Sequence, residues 1–119
     1  MTFNDVYEDL LVIVSEAGAR PDMPYEAEIF FTQLVDGFEG SRDELLDHVR
    51  ANVVTWFRSL DAPPDWLQDA EWAFFDGRPM VFVGQIELPP ERTGLHDAAA
   101  FFVFWDREAG VTETVIQIA

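Results

Sequence analysis

The sequence predicts an α+β domain, with about three N-terminal helices packed on a C-terminal antiparallel sheet of three or four strands. Three observations carry this. Over residues 1–62 apolar side chains recur every three or four positions, the period of a helix face. Pro63 and Pro64 then interrupt the chain. Beyond them come short runs of β-branched and aromatic residues, the last two joined by a turn-like linker. Helices first and strands later is the α+β pattern. With 119 residues, 49% of them hydrophobic, the chain reads as one domain, 1–119, with a helical part (1–62) and a sheet part (63–119).

The first helix is expected over residues 4–19, where Val6, Leu10, Val14 and Ala17 share one face. Asn4 is the expected cap, Asp5, Glu8 and Asp9 suit the positive helix end, and Gly18 and Pro21 stop it. Pro24 opens a second helix carrying Ala27, Phe30, Phe31, Leu34, Val35 and Phe38; a strand over residues 29–34 is the weaker alternative, because the spacing is helical and not strictly alternating. The third has the clearest start. Ser41-Arg42-Asp43-Glu44 is a capping box, and Leu45, Leu46, Val49, Val53, Trp56, Phe57 and Leu60 follow at helical spacing until Pro63.

Strands are expected over residues 80–88, 98–105 and 111–118. In the first, Val81, Val83, Gln85 and Glu87 should face one way, and Met80, Phe82, Gly84, Ile86 and Leu88 the other. In the last, Thr112, Thr114, Ile116 and Ile118 alternate against Val111, Glu113, Val115 and Gln117. Residues 106–110 read as a hairpin loop with Gly110 at a position of positive φ.

Charge excludes several functions. The chain holds 23 acids against seven bases, all arginine, for a net charge of −16. The excess is even: residues 1–60 and 61–119 each carry −8. Neither half offers a basic patch for a phosphate backbone, so no nucleic acid is expected as partner, and no anionic membrane. A basic protein partner fits, since opposite fields steer association; solubility or adaptation to a salty interior explains the same charge without a partner. There is no cysteine, no apolar run of membrane-spanning length and no export signal in the first nine residues, which together predict a cytoplasmic, bacterial protein.

Catalytic signals are sparse. No GxSxG, GxGxxG, Walker or HExxH pattern occurs, so no cofactor or metal site is expected. His48 falls on the third helix as a surface residue. His96, beside Asp97 in the loop 91–98, has the chemistry of a general base or ligand but lacks the companions a metal needs. Asp65, Asp69 and Glu71 lie near tryptophans, where desolvation raises a carboxyl pKa, yet with 23 acids such neighbours are expected by chance. The most unusual stretch is residues 64–85, with Trp66, Trp72, Phe74, Phe75, a turn at Asp76-Gly77, and Arg78. Tryptophan and arginine dominate binding hot spots; they also complete small cores. Gln85 interrupts an apolar strand and needs polar partners, so it either bonds loop backbone or lines a pocket.

Residues 77–86 (GRPMVFVGQI), followed by 101–106 (FFVFWD), resemble the bacterial YwqG-like family of unknown function, whose strand phrase joins G-x-P to an apolar run and a Gln. Trp66-Leu67-Gln68 and Glu71-Trp72 are similar to the aromatic entry of such proteins. The resemblance covers residues 63–118. It implies a shared sheet and draws attention to Trp72, Arg78 and Gln85, but implies no activity.

The expected function is therefore a non-catalytic protein-binding module, with an immunity-type inhibitor of a basic partner as its specific form and Trp66, Trp72 and Arg78 as anchors. The alternative is a small-ligand-binding protein or enzyme with a pocket near Trp72, Gln85 and His96. A homodimer is also open, should the apolar strand 98–105 lie at a sheet edge and pair with its copy.

Overall fold

The computed structural model describes residues 2–16, 25–94 and 97–119. The order is helices α1 (Tyr7–Glu16), α2 (Tyr25–Asp36) and α3 (Arg42–Trp56), then a hairpin of β1 (Phe74–Phe75) and β2 (Arg78–Pro79), then β3 (Val81–Leu88), a one-turn helix α4 (Pro90–Thr93), β4 (Ala99–Trp105) and β5 (Thr112–Ile118). The architecture is α+β: three N-terminal helices, an antiparallel sheet ordered β3-β4-β5, and the separate β1–β2 hairpin.

The helix starts differ in how they are satisfied. Ser41 and Glu44 form both halves of the capping box, each side chain accepting from the other's backbone N–H at 3.2 Å. Asn4 does not cap α1. A 3-10 turn (Asn4–Val6) without a side-chain cap precedes that helix, and Asp5 within it reaches back to accept from the Thr2 N–H and hydroxyl. The expected stops at Gly18 and Pro21, and the start at Pro24, lie outside the described residues. Helix α3 ends at Trp56, well short of Pro63. The reason is tertiary: Arg58 C=O accepts from Phe82 N–H and Leu60 N–H donates to Phe82 C=O, so 58–60 runs alongside β3 as extended chain. Leu60 is exposed as a result and leaves the helical stripe.

In the β1–β2 turn, Asp76 and Gly77 both have positive φ (52° and 77°), the two-residue turn that matches strand twist. Gly110 (φ 71°) closes the β4–β5 hairpin as its sequence requires. Strand β3 carries a bulge: Phe82 pairs with Phe104 and Gly84 with Val103, so Val83 is an extra residue. The bulge corrects the expected alternation. Phe82 joins Gln85 and Glu87 on the inner face, opposite Phe104, Phe102 and Ala100, while Gly84, Ile86 and Leu88 face outward with Val81. Strand β4 is central, bonded on both sides, which overturns the expectation that it could pair at an edge.

One continuous apolar core joins the layers. Phe30 and Phe31 of α2 meet Phe57, which sits edge-on to Trp72 at 5.3 Å. Trp72 in turn meets Phe104 edge-on at 5.4 Å, and Trp66 stacks on Phe102 at 4.6 Å. The segment from Trp66 to Trp72 is thus laid on the inner sheet face, and an unbroken run of rings links it to the helices.

Candidate functional site

Two glutamines hold the Trp66–Trp72 segment against the sheet. Gln85 on β3 clamps Asp65 in both directions: its Oε1 accepts from Asp65 N–H at 2.8 Å, and its Nε2 donates to Asp65 C=O at 2.9 Å and to Glu87 at 2.8 Å. Gln117 on β5 is buried and fully satisfied. Its Oε1 accepts from the N–H groups of Leu67 and Gln68 (2.9 and 3.0 Å), and its Nε2 donates to Asp69 C=O and the Glu71 carboxylate (2.8 and 3.0 Å). Gln85 therefore bonds loop backbone, the first of the two roles its sequence position allowed, and also lines a cleft, the second.

The remaining expected anchors are also engaged within the chain. Trp66 and Trp72 are buried, and Trp72 Nε1 donates to Met80 C=O at 2.8 Å. Arg78 makes two parallel bonds to Asp106, from Nε and Nη2 at 2.9 and 2.8 Å, with Asp76 and Glu108 also nearby. The same Asp106 carboxylate accepts from the backbone of Glu108 and Ala109, tying the β4–β5 hairpin to the β1–β2 hairpin. His96 lies outside the described residues.

The Arg78 hydrogen bonds hold the Asp106 carboxyl at about 2, below its ordinary 3.8. A carboxyl with a depressed folded pKa contributes stability that is complete above its unfolded value and lost as pH falls through the folded value. Asp106→Asn is thus expected to lower the melting temperature at pH 7 by on the order of 10 °C. The gap to wild type should narrow between pH 4 and pH 2 in thermal unfolding curves; a gap independent of pH would show that the ion pair does not supply it.

Two clefts flank the inner layer. One of about 350 Å³ is lined by Tyr25, Glu26, Glu71, Trp72, Phe74 and Glu113 among others. A second, of about 550 Å³, is lined by residues including Asp61, Asp65, Gln85 and Glu87. Trp72 and Gln85 line separate clefts, each acidic. Among the described residues no group of three His, Cys, Asp or Glu is placed to hold a metal ion, and no helix is long and apolar enough to cross a membrane.

The outer sheet face is the surface that stands apart. Strand register places twelve residues on it in four rows: Leu88–Ala99–Ile118, Ile86–Phe101–Ile116, Gly84–Val103–Thr114 and Val81–Trp105–Thr112. None is charged, in a chain where 25% of residues are. Ile86, Ile116, Ile118 and Trp105 are 59%, 54%, 46% and 38% exposed. Helices α1–α3 and the Trp66–Trp72 segment pack on the opposite face, and on this one only Val81 and Ala99, in its two end rows, are buried. Sequence reasoning named none of these as a site residue, although it offered strand 98–105 as a self-pairing edge. The signal was present in β5, where Thr112, Thr114, Ile116 and Ile118 form an uncharged alternate face, while the inner face carries the exposed Glu113 and the buried Gln117.

Comparison with protein-family models, with curated proteins and with solved structures returns no match.

Proposed function

We propose that the protein is a non-catalytic, cytoplasmic protein-binding module that docks through the outer face of its sheet. The observation that carries this reading is the twelve-position uncharged face with four large apolar side chains in solvent. Contiguous exposed apolar patches of this kind are uncommon on monomeric proteins and mark interaction sites. The anchors are then Ile86, Trp105 and Ile116, in place of Trp66, Trp72 and Arg78, whose contacts lie within the chain. The resemblance of residues 63–118 to the YwqG-like family fits a shared sheet and adds no residue role.

A capture experiment tests the reading. Tagged wild type and the double variant Ile86→Asp/Ile116→Asp are compared on lysate of the source organism. Both positions are exposed, so the variant is expected to keep its circular dichroism spectrum and melt within a few degrees of wild type. Capture by wild type and not by the variant is expected; equal capture by both would overturn the reading.

A second reading, an immunity-type inhibitor of a basic partner, is favoured by the cleft that sets Glu26, Glu71 and Glu113 around Tyr25 and Phe74. It expects a partner released by salt, insensitive to the sheet-face variant and lost in Glu26→Gln/Glu71→Gln/Glu113→Gln.

A further inference from the structure

We infer that the occupant of the outer sheet face is a second copy of this chain, stacked face to face about a two-fold axis so that two three-stranded sheets form a sandwich with the helices outside. This rests on the sheet face being the binding surface. Three observations select a copy over another protein. First, the face offers no charge, so apposing it to itself brings no like charges together, although each chain carries −16. A partner recruited by the acidic field would find no acid there to pair with. Second, geometry favours face over edge. The β3 backbone edge is taken at Phe82 by Arg58 and Leu60, the Asp65 segment lies along it on the Gln85 side chain, and Gln68 caps the β5 carbonyl of Ile118. A copy extending the sheet would have to displace these contacts, whereas one covering the face displaces none. Third, the size fits. Three strands of seven residues span about 14 by 24 Å. The ten residues of that face that are exposed or half-buried present roughly 500–600 Å², so two copies bury about 1,000–1,200 Å², at the threshold a specific interface must clear. Paired sheets lie about 10 Å apart, which lets Ile86, Phe101 and Ile116 of each copy interleave.

The charge makes an unusual prediction for such a dimer. Its two acidic bodies repel, so salt should tighten it, whereas salt loosens a complex with a basic partner. The test is sedimentation equilibrium of the full chain at 20 mM and 500 mM NaCl, with Ile116→Asp and Ile116→Leu, alongside a photo-crosslinking residue replacing Ile116 in cells. The expected result is a species of twice 13.6 kDa whose dissociation constant falls at least about tenfold from low to high salt. Ile116→Asp should stay monomeric while keeping its fold by circular dichroism, and Ile116→Leu should dimerise. The crosslinked product should contain two copies of this chain. A crosslink to one different protein, with a monomer at every salt, would overturn the second-copy inference and leave the sheet face as the binding surface. A monomer with no crosslink to any protein would overturn both.

Discussion

Trp72→Ala is expected to destabilise the protein by about 3–5 kcal/mol, the cost of deleting a large buried ring that the surroundings cannot refill. Small domains hold only about 5–15 kcal/mol in total, so the variant should melt more than about 10 °C lower. The reason is position. Trp72 touches Phe57 on the helical side and Phe82 and Phe104 on the sheet, so its ring is a link between two layers and not one contact among many. Trp72→Phe separates packing from hydrogen bonding. It keeps most of the apolar contact but leaves Met80 C=O without the indole N–H, at a cost of about 1–3 kcal/mol. Denaturant unfolding of the three proteins should rank wild type, phenylalanine, alanine. An alanine variant within about 1 kcal/mol of wild type would show that the helices and sheet are joined elsewhere.

Gln117→Leu is expected to cost about 3 kcal/mol, although it replaces a polar side chain with an apolar one of similar size inside a core. The N–H groups of Leu67 and Gln68 and the carbonyl of Asp69 all lose their partner at once. An unmade buried hydrogen bond costs more than a made one contributes. The turn over residues 67–69 should open to rehydrate these groups, and amide exchange there should quicken before the rest of the chain responds. Gln117→Glu is a sharper probe. It retains an acceptor for Leu67 and Gln68 but faces Glu71 with a second carboxylate. Burial and like charge raise the pKa of the introduced carboxyl, so its stability should be best at acidic pH and fall as pH rises through that pKa. Exchange at residues 67–69 unchanged in both variants would show that another contact pins the turn.

Local signals in the sequence were accurate where the chemistry is local. The capping box at Ser41 and Glu44, the Asp-Gly turn at 76–77 and the loop closed by Gly110 each depend on residues within a few positions of one another. The helix face of α2 and the alternation of β5 were legible for the same reason. Apart from the Asn4 cap, which the Thr2–Asp5 bonds and a 3-10 turn replace, errors occurred where a distant partner competed. The stripe through Leu60 predicts a longer α3, but the edge of β3 recruits residues 58–60 into extended pairing. The bulge at Val83 shifts the second half of β3 by one residue and exchanges its faces, an event no periodicity reveals. The candidate site was the least legible part. Trp66, Trp72 and Arg78 were singled out for types common at binding surfaces, but the same types stack and pair well inside a small core, and burial separates the two roles.

The sequence by itself determined the α+β class, the order of the three long helices and three long strands, the Ser41 cap and the principal turns, and an acidity that argues against nucleic acid and anionic membranes as partners. These follow from short-range backbone chemistry and from composition, which do not depend on how the chain is arranged in space. Only the tertiary structure decided which face of each strand is covered. In β5 the face holding Glu113 and Gln117 turns inward and the isoleucine face turns out. Hydropathy alone points the other way. The inward choice stands because Gln117 finds four partners in the Leu67–Glu71 segment. A buried amide so satisfied costs little, whereas the exposed isoleucines remain available for another surface to cover.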